Sequence, residues 1–531
     1  MTDTSKTNSK KLWNAMIYLA GENNLAEACV FALKGMKRAT QFPNNRVSDE
    51  KIDDLIKIVA QLDAGGLGGD EVRYILKRRD TDGGLHEDEI TRRDTTQTTY
   101  RGVLKDFLTS SIILDGVAER YLLVLSGHGG GPNEDFLGRD VELPDTLSIP
   151  KVQWVLEEVK QSLTDNINRE IGDKFRINVL GLDSCMMSTA EIGYQLRDYV
   201  DYMVGSEGFE PNMGWPYDRI LSSLLRNPAM EPKELALRIV SGYVTFYSDF
   251  VPAGRSVDQA ACNLSKFNDL ANAIDKLAKV LIDKLSDSEP QRQETIRQLV
   301  LAHWEAQSYK DDQFVDLYDF CDLLDQGPAE SSATGSVVMK GVTVDPNIRD
   351  ACREVKKVLT GNGDNSLILQ SCYSGPAVQH SHGLSIYFPW SNVVEAYKNL
   401  EFATVTKWKA FLMRYVDITR RGRRECPSGR KTGETVEGRL FFNPAVSGFD
   451  FLLTGNNRNA PTHDRILSNK VGTMKNPPID YVRCECEKLY PHESDSTESP
   501  AGNGSGQATK GRNNKTPTLK SRKSTPAGRK P

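Results

Sequence analysis

Up to about Tyr217, short apolar runs alternate with amphipathic stretches. The runs have the length of buried strands, and the stretches between them carry apolar residues at helical spacing. The predicted strands are Trp13–Leu19, Leu55–Leu62, Val72–Leu76, Tyr121–Leu125, Ile177–Leu182 and Tyr202–Gly205. The predicted helices are Leu25–Met36, Gln97–Leu108, Val152–Leu163 and Ala190–Leu196. Because the strands are apolar throughout rather than alternating, the pattern predicts an α/β fold whose mostly parallel sheet is covered on both faces.

Beyond about Tyr217 the pattern becomes mainly helical. The predicted helices are Lys233–Phe250, Phe267–Leu285, Gln291–Leu324, Arg349–Leu359 and Val394–Tyr415, with one late strand over Gly383–Phe388. Residues 501–531 carry eight Lys/Arg, no Asp/Glu and a single Leu. Such a segment has too few apolar residues to form a core, so we expect a disordered basic tail that binds nucleic acid or an acidic partner, if it binds at all.

Composition narrows the class of protein. The 531 residues are 38% hydrophobic and 26% charged with a net charge of −5, which is ordinary for a globular protein. The sequence contains no secretory signal and no apolar stretch of membrane length, so we predict a cytoplasmic protein without membrane contact. Nine cysteines, an odd number, then favour free thiols. Cys484 and Cys486 lack a second pair at zinc-site spacing, and no metal or cofactor is predicted.

Two reactive side chains directly follow apolar runs. His128 comes after Tyr121–Leu125, and Cys185 comes after Ile177–Leu182. In a parallel α/β sheet the active site lies beyond the carboxyl ends of the strands, so we expect both side chains at one edge. A catalytic thiol needs a proton acceptor and surroundings that favour the thiolate. The pattern therefore predicts Cys185 as a nucleophile and His128 as its base, where each alone would more often be structural.

The residues beside this pair suit acyl transfer. His128 lies in Ser-Gly-His-Gly-Gly-Gly, and glycines there let the backbone approach a substrate and donate hydrogen bonds. We assign the N–H groups of Gly129 and Cys185 to an oxyanion site. A helix starting just after Cys185 is expected to favour the thiolate through its N-terminal dipole.

Several ordered motifs resemble the clostripain family of cysteine peptidases, which belongs with caspases, legumain, gingipains and separase. They are WNAMIYLAGENNL at 13–25, LSGHGGG at 125–131, GLDSCMM at 181–187, GSEGFEPNMGWPY at 205–217 and GLSIYFP at 383–389. The resemblance covers roughly residues 12–415. It implies a caspase-like α/β/α sandwich and a cysteine endopeptidase that uses His128 and Cys185.

The resemblance also implies a specificity. The acid two residues before the nucleophile is Asp183, which would line the pocket for Arg or Lys preceding the scissile bond; alternatively, Asp183 caps a helix. A second acid is common in the family, and Glu207, Glu210 and Asp218 remain alternatives for it. Some relatives use calcium. Because no recognisable calcium loop occurs in this sequence, calcium enters only through the resemblance.

Family members are commonly activated by cleavage between the catalytic His and Cys. The segment 132–150 is rich in acids and prolines, so we predict an exposed loop. Its only basic residue is Arg139, and Lys151 follows it directly; we predict that the enzyme cuts itself after one of these two residues. The predicted organisation is a disordered N-terminus (1–11), a peptidase core (12–255), a helix-rich region with the late strand 383–388 (256–420), an unassigned extension (421–490) and a disordered basic tail (491–531).

Two other functions are weighed against a peptidase. A catalytically silent caspase-like interaction module would be expected to lack the His/Cys pair, and both residues are present. A nucleotide-binding domain would need a phosphate-binding loop ending in Gly-Lys-Ser/Thr, and the Gly-rich turn at 65–70 lacks those residues. The sequence therefore favours a peptidase acting on protein or peptide substrates.

Overall fold

We analysed a computed structural model of the chain. The structure describes residues 10–21, 23–41, 52–63, 70–77, 89–94, 100–113, 117–134, 137, 147–250, 256–310, 313–326, 344–361, 365–390 and 392–424. The predictions for residues 1–9, for most of 421–490 and for the tail therefore lie outside the described residues.

The described chain alternates strands and helices through its first half. The strands are β1 Trp13–Ala20, β2 Ile56–Asp63, β3 Asp70–Ile75, β4 Glu89–Asp94, β5 Arg120–Ser126, β6 Ile177–Asp183, β7 Val200–Gly205, β8 Val257–Asn263, β9 Ser308–Tyr309, β10 Phe314–Asp316, β11 Ile368–Ser374 and β12 Ser385–Tyr387. The helices are α1 Ala26–Gln41, α2 Ile52–Leu55, α3 Tyr100–Ile113, α4 Ile149–Asn166, α5 Arg169–Lys174, α6 Ala190–Leu196, α7 Tyr217–Arg226, α8 Pro232–Ser248, α9 Phe267–Lys284, α10 Glu289–Glu305, α11 Leu317–Gln326, α12 Pro346–Thr360, α13 Glu395–Lys398, α14 Glu401–Val405 and α15 Trp408–Arg424.

A nine-stranded sheet organises the molecule, in the order β11-β8-β7-β6-β5-β1-β2-β3-β4. Its five central strands, β7-β6-β5-β1-β2, are parallel to one another, and antiparallel strands extend it on both sides. This arrangement confirms the predicted α/β fold with a parallel centre. Parallel strands joined by helical crossovers bring their carboxyl ends to one edge, where β1, β5 and β6 lie side by side.

Successive residues of β1 enter two separate apolar cores. Met16 and Tyr18 belong to the core on one face of the sheet, whereas Ile17 and Leu19 belong to the core on the other. All eight residues of β1 are buried. A strand buried on both faces must be apolar at nearly every position, which explains the continuous run seen in the sequence.

The central sheet does not end at residue 255, where the predicted peptidase core ends. The strands β8 and β11 come from the region predicted to be helix-rich, yet they extend the central sheet beside β7. The single helix predicted over Gln291–Leu324 is also wrong, because β9 and β10 interrupt it and pair with β12 in a second, three-stranded sheet. These strands are short or contain polar residues, so they lack the apolar run that marks β1, β5 and β6.

The late strand β12 docks beside the turn that carries Cys185. The N–H of Ser385 donates to the carbonyl of Ser188 at 3.0 Å, and the two segments form a parallel bridge between Thr189 and Ser385. The later part of the chain therefore lies directly against the nucleophile turn. Within the described residues, no helix is both long and apolar enough to cross a membrane.

Candidate active site

His128 and Cys185 follow neighbouring strands. Ser126 at the end of β5 pairs in register with Asp183 at the end of β6, and each reactive residue lies two positions further on. The N–H of Gly127 also donates to the carbonyl of Asp183 at 3.2 Å. Both side chains are largely buried. The sheet thus brings together the two residues that the sequence nominated.

Gly129 shows how closely the two turns approach. A Cβ built on Gly129 would lie 2.5 Å from the carbonyl oxygen of Cys185, 3.0 Å from Ser184 Cβ and 3.1 Å from Met187 Sδ. Only a residue without a side chain fits between the turns at this separation. The backbone of Gly129 therefore lies against that of Cys185, where their N–H groups were assigned to an oxyanion site.

Cys185, the predicted nucleophile, lies in a tight turn rather than at a helix start. Met186 adopts φ +59°, in the left-handed region that non-glycine residues rarely occupy. Its N–H donates to Gly208 O at 2.8 Å. The following helix begins only at Ala190 with Thr189 as its N-cap. The predicted helix N-terminus at Cys185 and the alternative role of Asp183 as a helix cap are therefore wrong, because three residues and the N-cap Thr189 separate Cys185 from α6.

A backbone amide, rather than a helix N-terminus, contacts the sulfur atom of Cys185. The N–H of Glu210 donates to Cys185 Sγ at 3.3 Å, and Sγ also lies 3.7 Å from the carbonyl oxygen of Glu210. A hydrogen bond donated to sulfur favours the thiolate over the thiol. The loop 206–210 consequently both fixes the nucleophile turn and supports its reactive form.

Asp183 and Glu210 line one pocket beside Cys185. The pocket is closed on its other sides by α1 and by the loop 210–214; its lining residues are Leu25, Ala28, Cys29, Ala32, Ser126, Gly127, Asp183, Ser184, Cys185, Glu210, Pro211, Asn212, Met213 and Gly214. Both carboxyl groups are buried. A Cβ on Gly214, which has φ +63°, would lie 2.9 Å from Asp183 Oδ2, so glycine keeps the pocket wall off the carboxylate.

The two acids of the pocket differ in their hydrogen bonds. Asp183 Oδ2 accepts from Tyr217 OH at 2.6 Å and from Ser126 Oγ at 2.8 Å. Burial raises the pKa of Asp183, and these donors oppose the shift. Burial, together with repulsion by Asp183, raises the pKa of Glu210 well above its usual range. Of the two acids, Glu210 is therefore the one that takes up a proton more readily, and Asp183 is the one that keeps its charge to lower pH.

Glu207 lies elsewhere, so its predicted place in the substrate pocket is wrong. Its carboxylate accepts from Gly383 N–H at 2.6 Å, and its own N–H donates to Asp258 Oδ2 at 2.7 Å. Asp258 Oδ1 also accepts from Gly208 N–H at 3.0 Å. Burial and repulsion by Asp316 and Asp258 raise the pKa of Glu207 well above its usual range. This acid joins the 206–210 loop to the later part of the chain instead of facing substrate.

The later part of the chain also supports the histidine turn, which the sequence did not reveal. Lys310 Nζ donates to the carbonyl of Gly130 at 2.8 Å and forms an ion pair with Glu134. A Cβ on Gly131, which has φ +86°, would lie 2.6 Å from the ring of Phe314. No local motif marks these contacts, because they join segments about 180 residues apart.

Of the two predicted cleavage positions, only Lys151 lies within the residues that the structure describes. Arg139 lies outside the described residues. Lys151 is in the first turn of α4, where its N–H donates to Ser148 O at 2.9 Å. The expectation that Lys151 lies in an irregular segment is therefore wrong, because α4 begins at Ile149. Within the described ranges, no group of three or more His, Cys, Asp or Glu side chains is arranged to hold a metal ion; calcium dependence stays untested.

The chain is similar to known proteins both in sequence and in fold. Residues 17–414 match the sequence profile of the Clostripain family. Clostripain of Hathewaya histolytica is 24% identical over 255 residues, an alignment that covers 41% of this chain and 46% of the relative. The chain therefore matches less than half the length of that relative.

Two solved structures share the fold. A secreted C11 cysteine protease from Bacteroides thetaiotaomicron, in complex with an irreversible peptide inhibitor, is 17% identical with a TM-score of 0.52, covering 76% of this chain and 99% of that one. A second structure of a secreted C11 cysteine protease from the same organism, called iotapain, is 14% identical with a TM-score of 0.52, covering 75% and 99%. At this level of identity the likeness shows the fold alone.

Proposed function

This chain belongs to the clostripain family of cysteine peptidases, and we propose that it cleaves peptide bonds after Arg or Lys through a dyad of Cys185 and His128. The observation that carries the proposal is the shared pocket, which is lined by both Cys185 and the buried Asp183. A peptidase that cleaves after a basic residue needs its nucleophile at the scissile bond and its acidic group within reach of the side chain of that residue.

Hydrolysis in this proposal has two stages, acylation of Cys185 and hydrolysis of the resulting thioester. The Cys185 thiol passes its proton to the imidazole of His128 and attacks the substrate carbonyl carbon, so that the carbonyl oxygen becomes an oxyanion. The N–H groups of Gly129 and Cys185 stabilise that charge. His128 then returns the proton to the leaving amine, and a thioester remains on Cys185. Water, deprotonated by His128, hydrolyses the thioester and restores the thiol.

The specificity follows from the charge of the pocket. In this proposal Asp183 is ionised while Glu210, the more readily protonated of the two acids, is neutral, so the buried acids give the pocket one negative charge. A guanidinium or ammonium group on the substrate pairs with that charge, whereas an Asp side chain would be repelled and a Leu side chain would leave Asp183 without its partner. A pair of this kind is worth several kcal/mol, on the order of a hundredfold in rate.

The test compares reporter peptides with Arg, Lys, Asp or Leu before the scissile bond. Cys185→Ala and His128→Ala should each abolish hydrolysis while thermal unfolding shows an intact fold. Asp183→Asn removes the charge at nearly constant shape and should lower kcat/KM for the Arg peptide about a hundredfold. Glu210→Gln is the matched control, since Gln resembles the protonated acid, and it should keep the Arg preference.

Three results would contradict parts of this proposal. Half or more of the activity remaining in Cys185→Ala or His128→Ala would remove the dyad. Preference of the wild-type enzyme for Asp would refute a basic specificity. Equal loss of the Arg preference in Asp183→Asn and Glu210→Gln would show that the charge is not assigned to Asp183.

Covalent labelling separates a peptidase from a silent module. An Arg chloromethyl ketone should add its mass to Cys185. It should leave Cys29 unlabelled, although Cys29 also lines the pocket. Burial, together with Asp183 and Asp63, raises the pKa of the Cys29 thiol to about 12, so that it remains protonated at neutral pH. Absence of any adduct would favour the interaction module. The cytoplasmic location and the partners of the tail stay predictions.

A further inference from the structure

Two consecutive asparagines follow β1, and they make different contacts. Asn23 builds the turn: its Oδ1 accepts from Leu25 N–H at 2.8 Å, and its Nδ2 donates to Ala20 O at 3.3 Å. Asn24 instead directs its side chain to the active site, where Oδ1 lies 2.7 Å from Nε2 of His128. The turn held by Asn23 thus presents the next side chain to the catalytic imidazole.

This contact determines which nitrogen of His128 carries the proton. The amide oxygen of Asn24 has no hydrogen to donate and only accepts, so Nε2 of His128 must be the N–H donor. In the neutral imidazole the lone pair is then on Nδ1. Nδ1 is consequently the nitrogen that receives the proton of a thiol, and rotation of the ring about its Cβ–Cγ bond would break the bond to Asn24.

The strand order explains why three residues distant in sequence meet here. Within the central sheet β1, β5 and β6 are consecutive, with Leu19 opposite Ser126 and Ser126 opposite Asp183. Asn24 follows the first of these strands, His128 the second and Cys185 the third. The base therefore lies between the group that orients it and the nucleophile that it serves.

We propose that Asn24 is the positioning residue of the active site, which holds His128 in the tautomer and ring orientation that accept the Cys185 proton at Nδ1. The proposal rests on the proposed function, in which His128 is the catalytic base. Its consequence reaches beyond orientation. When His128 becomes positively charged, both ring nitrogens are donors, and the Asn24 carbonyl stabilises Nε2–H of the imidazolium while the thiolate faces the other side.

Loss of Asn24 should therefore narrow the pH range of activity from its basic side. Without the carbonyl the imidazolium is less stable, so the thiolate–imidazolium pair loses its imidazolium proton at lower pH. The basic limb of the kcat/KM profile should shift downward, whereas the acidic limb should not shift upward, because the imidazolium is present both before and after the thiol ionises. A residue that only supported the fold would lower the amount of active enzyme without moving either limb.

The experiment measures complete pH profiles of kcat/KM, with kcat and KM separated at the optimum, for three variants. Asn24→Ala should lower kcat roughly 10- to 100-fold with little change in KM and should narrow the profile. Asn24→Asp places a carboxylate at the same distance; it should recover most of kcat and shift the basic limb to higher pH. Asn23→Ala is the matched control for damage to the turn, and should lower the melting temperature without moving the limbs.

Each alternative outcome has a separate meaning. Wild-type kcat and an unchanged profile in Asn24→Ala would overturn the inference. So would losses in Asn24→Ala that match those of Asn23→Ala in melting temperature and leave both limbs in place. If Cys185→Ala or His128→Ala retained activity, the proposed dyad itself would fail, and this inference would fail with it. If both variants lost activity while Asn24→Ala kept wild-type kinetics, only the positioning role of Asn24 would be refuted.

Discussion

Gly129 offers the sharpest test of the geometry between the turns that carry His128 and Cys185. Substitution by Ala adds one methyl group 2.5 Å from the Cys185 carbonyl oxygen. Cβ atoms essentially never approach another heavy atom within 3.0 Å, and ordinary contact begins at 3.4 Å. The turns must therefore separate by at least 0.5 Å and by about 0.9 Å for a relaxed contact.

The atoms nearest to the added methyl group cannot easily move away from it. The closest contact is backbone, the second is Ser184 Cβ at 3.0 Å, and only the third, Met187 Sδ at 3.1 Å, belongs to a flexible side chain. Overpacking of this kind costs about 1–3 kcal/mol of stability. A displacement approaching 1 Å between reacting groups lowers the rate about a hundredfold, because catalysis depends on near-attack geometry.

The assay combines steady-state hydrolysis of an Arg reporter peptide with thermal unfolding and active-site titration. Gly129→Ala should lower kcat/KM about a hundredfold, and titration should show that the remaining activity comes from all molecules rather than from a small folded fraction. Gly242→Ala is the matched control: a Cβ there meets nothing within 4 Å. It lies inside α8, so Ala should keep full activity and add up to about 1 kcal/mol of stability.

Unchanged kcat/KM in Gly129→Ala, at wild-type stability, would refute the close approach of the two turns. Equal losses in Gly129→Ala and Gly242→Ala would refute the local explanation, since only the first substitution touches the site.

Three further predictions concern pH, processing and the tail. Burial raises the pKa of Glu191 to about 7. The stability due to its neutral form is therefore complete below about pH 4.5 and is lost as pH rises through 7. In urea unfolding, Glu191→Gln should match the wild-type free energy of unfolding near pH 4.5 and exceed it by about 1–3 kcal/mol at pH 8, and an equal difference at both pH values would contradict this sign. Mass spectrometry should find two fragments meeting between residues 132 and 152 in wild type but an intact Cys185→Ala chain. Arg139→Gln should block this cut and Lys151→Gln should not, because the Lys151 bond is helical; cleavage in Cys185→Ala would indicate another protease. Deleting residues 501–531 should leave small-peptide hydrolysis unchanged, and lost activity would make the tail part of the catalytic fold.

Part of this protein was determined by local sequence. The strands β1, β5 and β6 are buried on both faces, so their apolar runs are continuous and recognisable without a structure. A reactive residue at the end of such a run must lie at the carboxyl edge of a parallel sheet, which is why His128 and Cys185 were found from their positions alone. The five ordered motifs also sufficed to identify the family.

Other features were decided only by tertiary structure, because their partners are distant along the chain. Glu207 and Glu210 are three residues apart and equally acidic. Glu210 faces the pocket of Asp183, whereas Glu207 turns to Gly383, a residue 176 positions later. Strand order has the same character: no local pattern shows that β1 adjoins β5, so the sequence analysis did not assign Asn24 to the active site. Sequence determines which segments fold locally, and packing of remote segments determines which side chains meet.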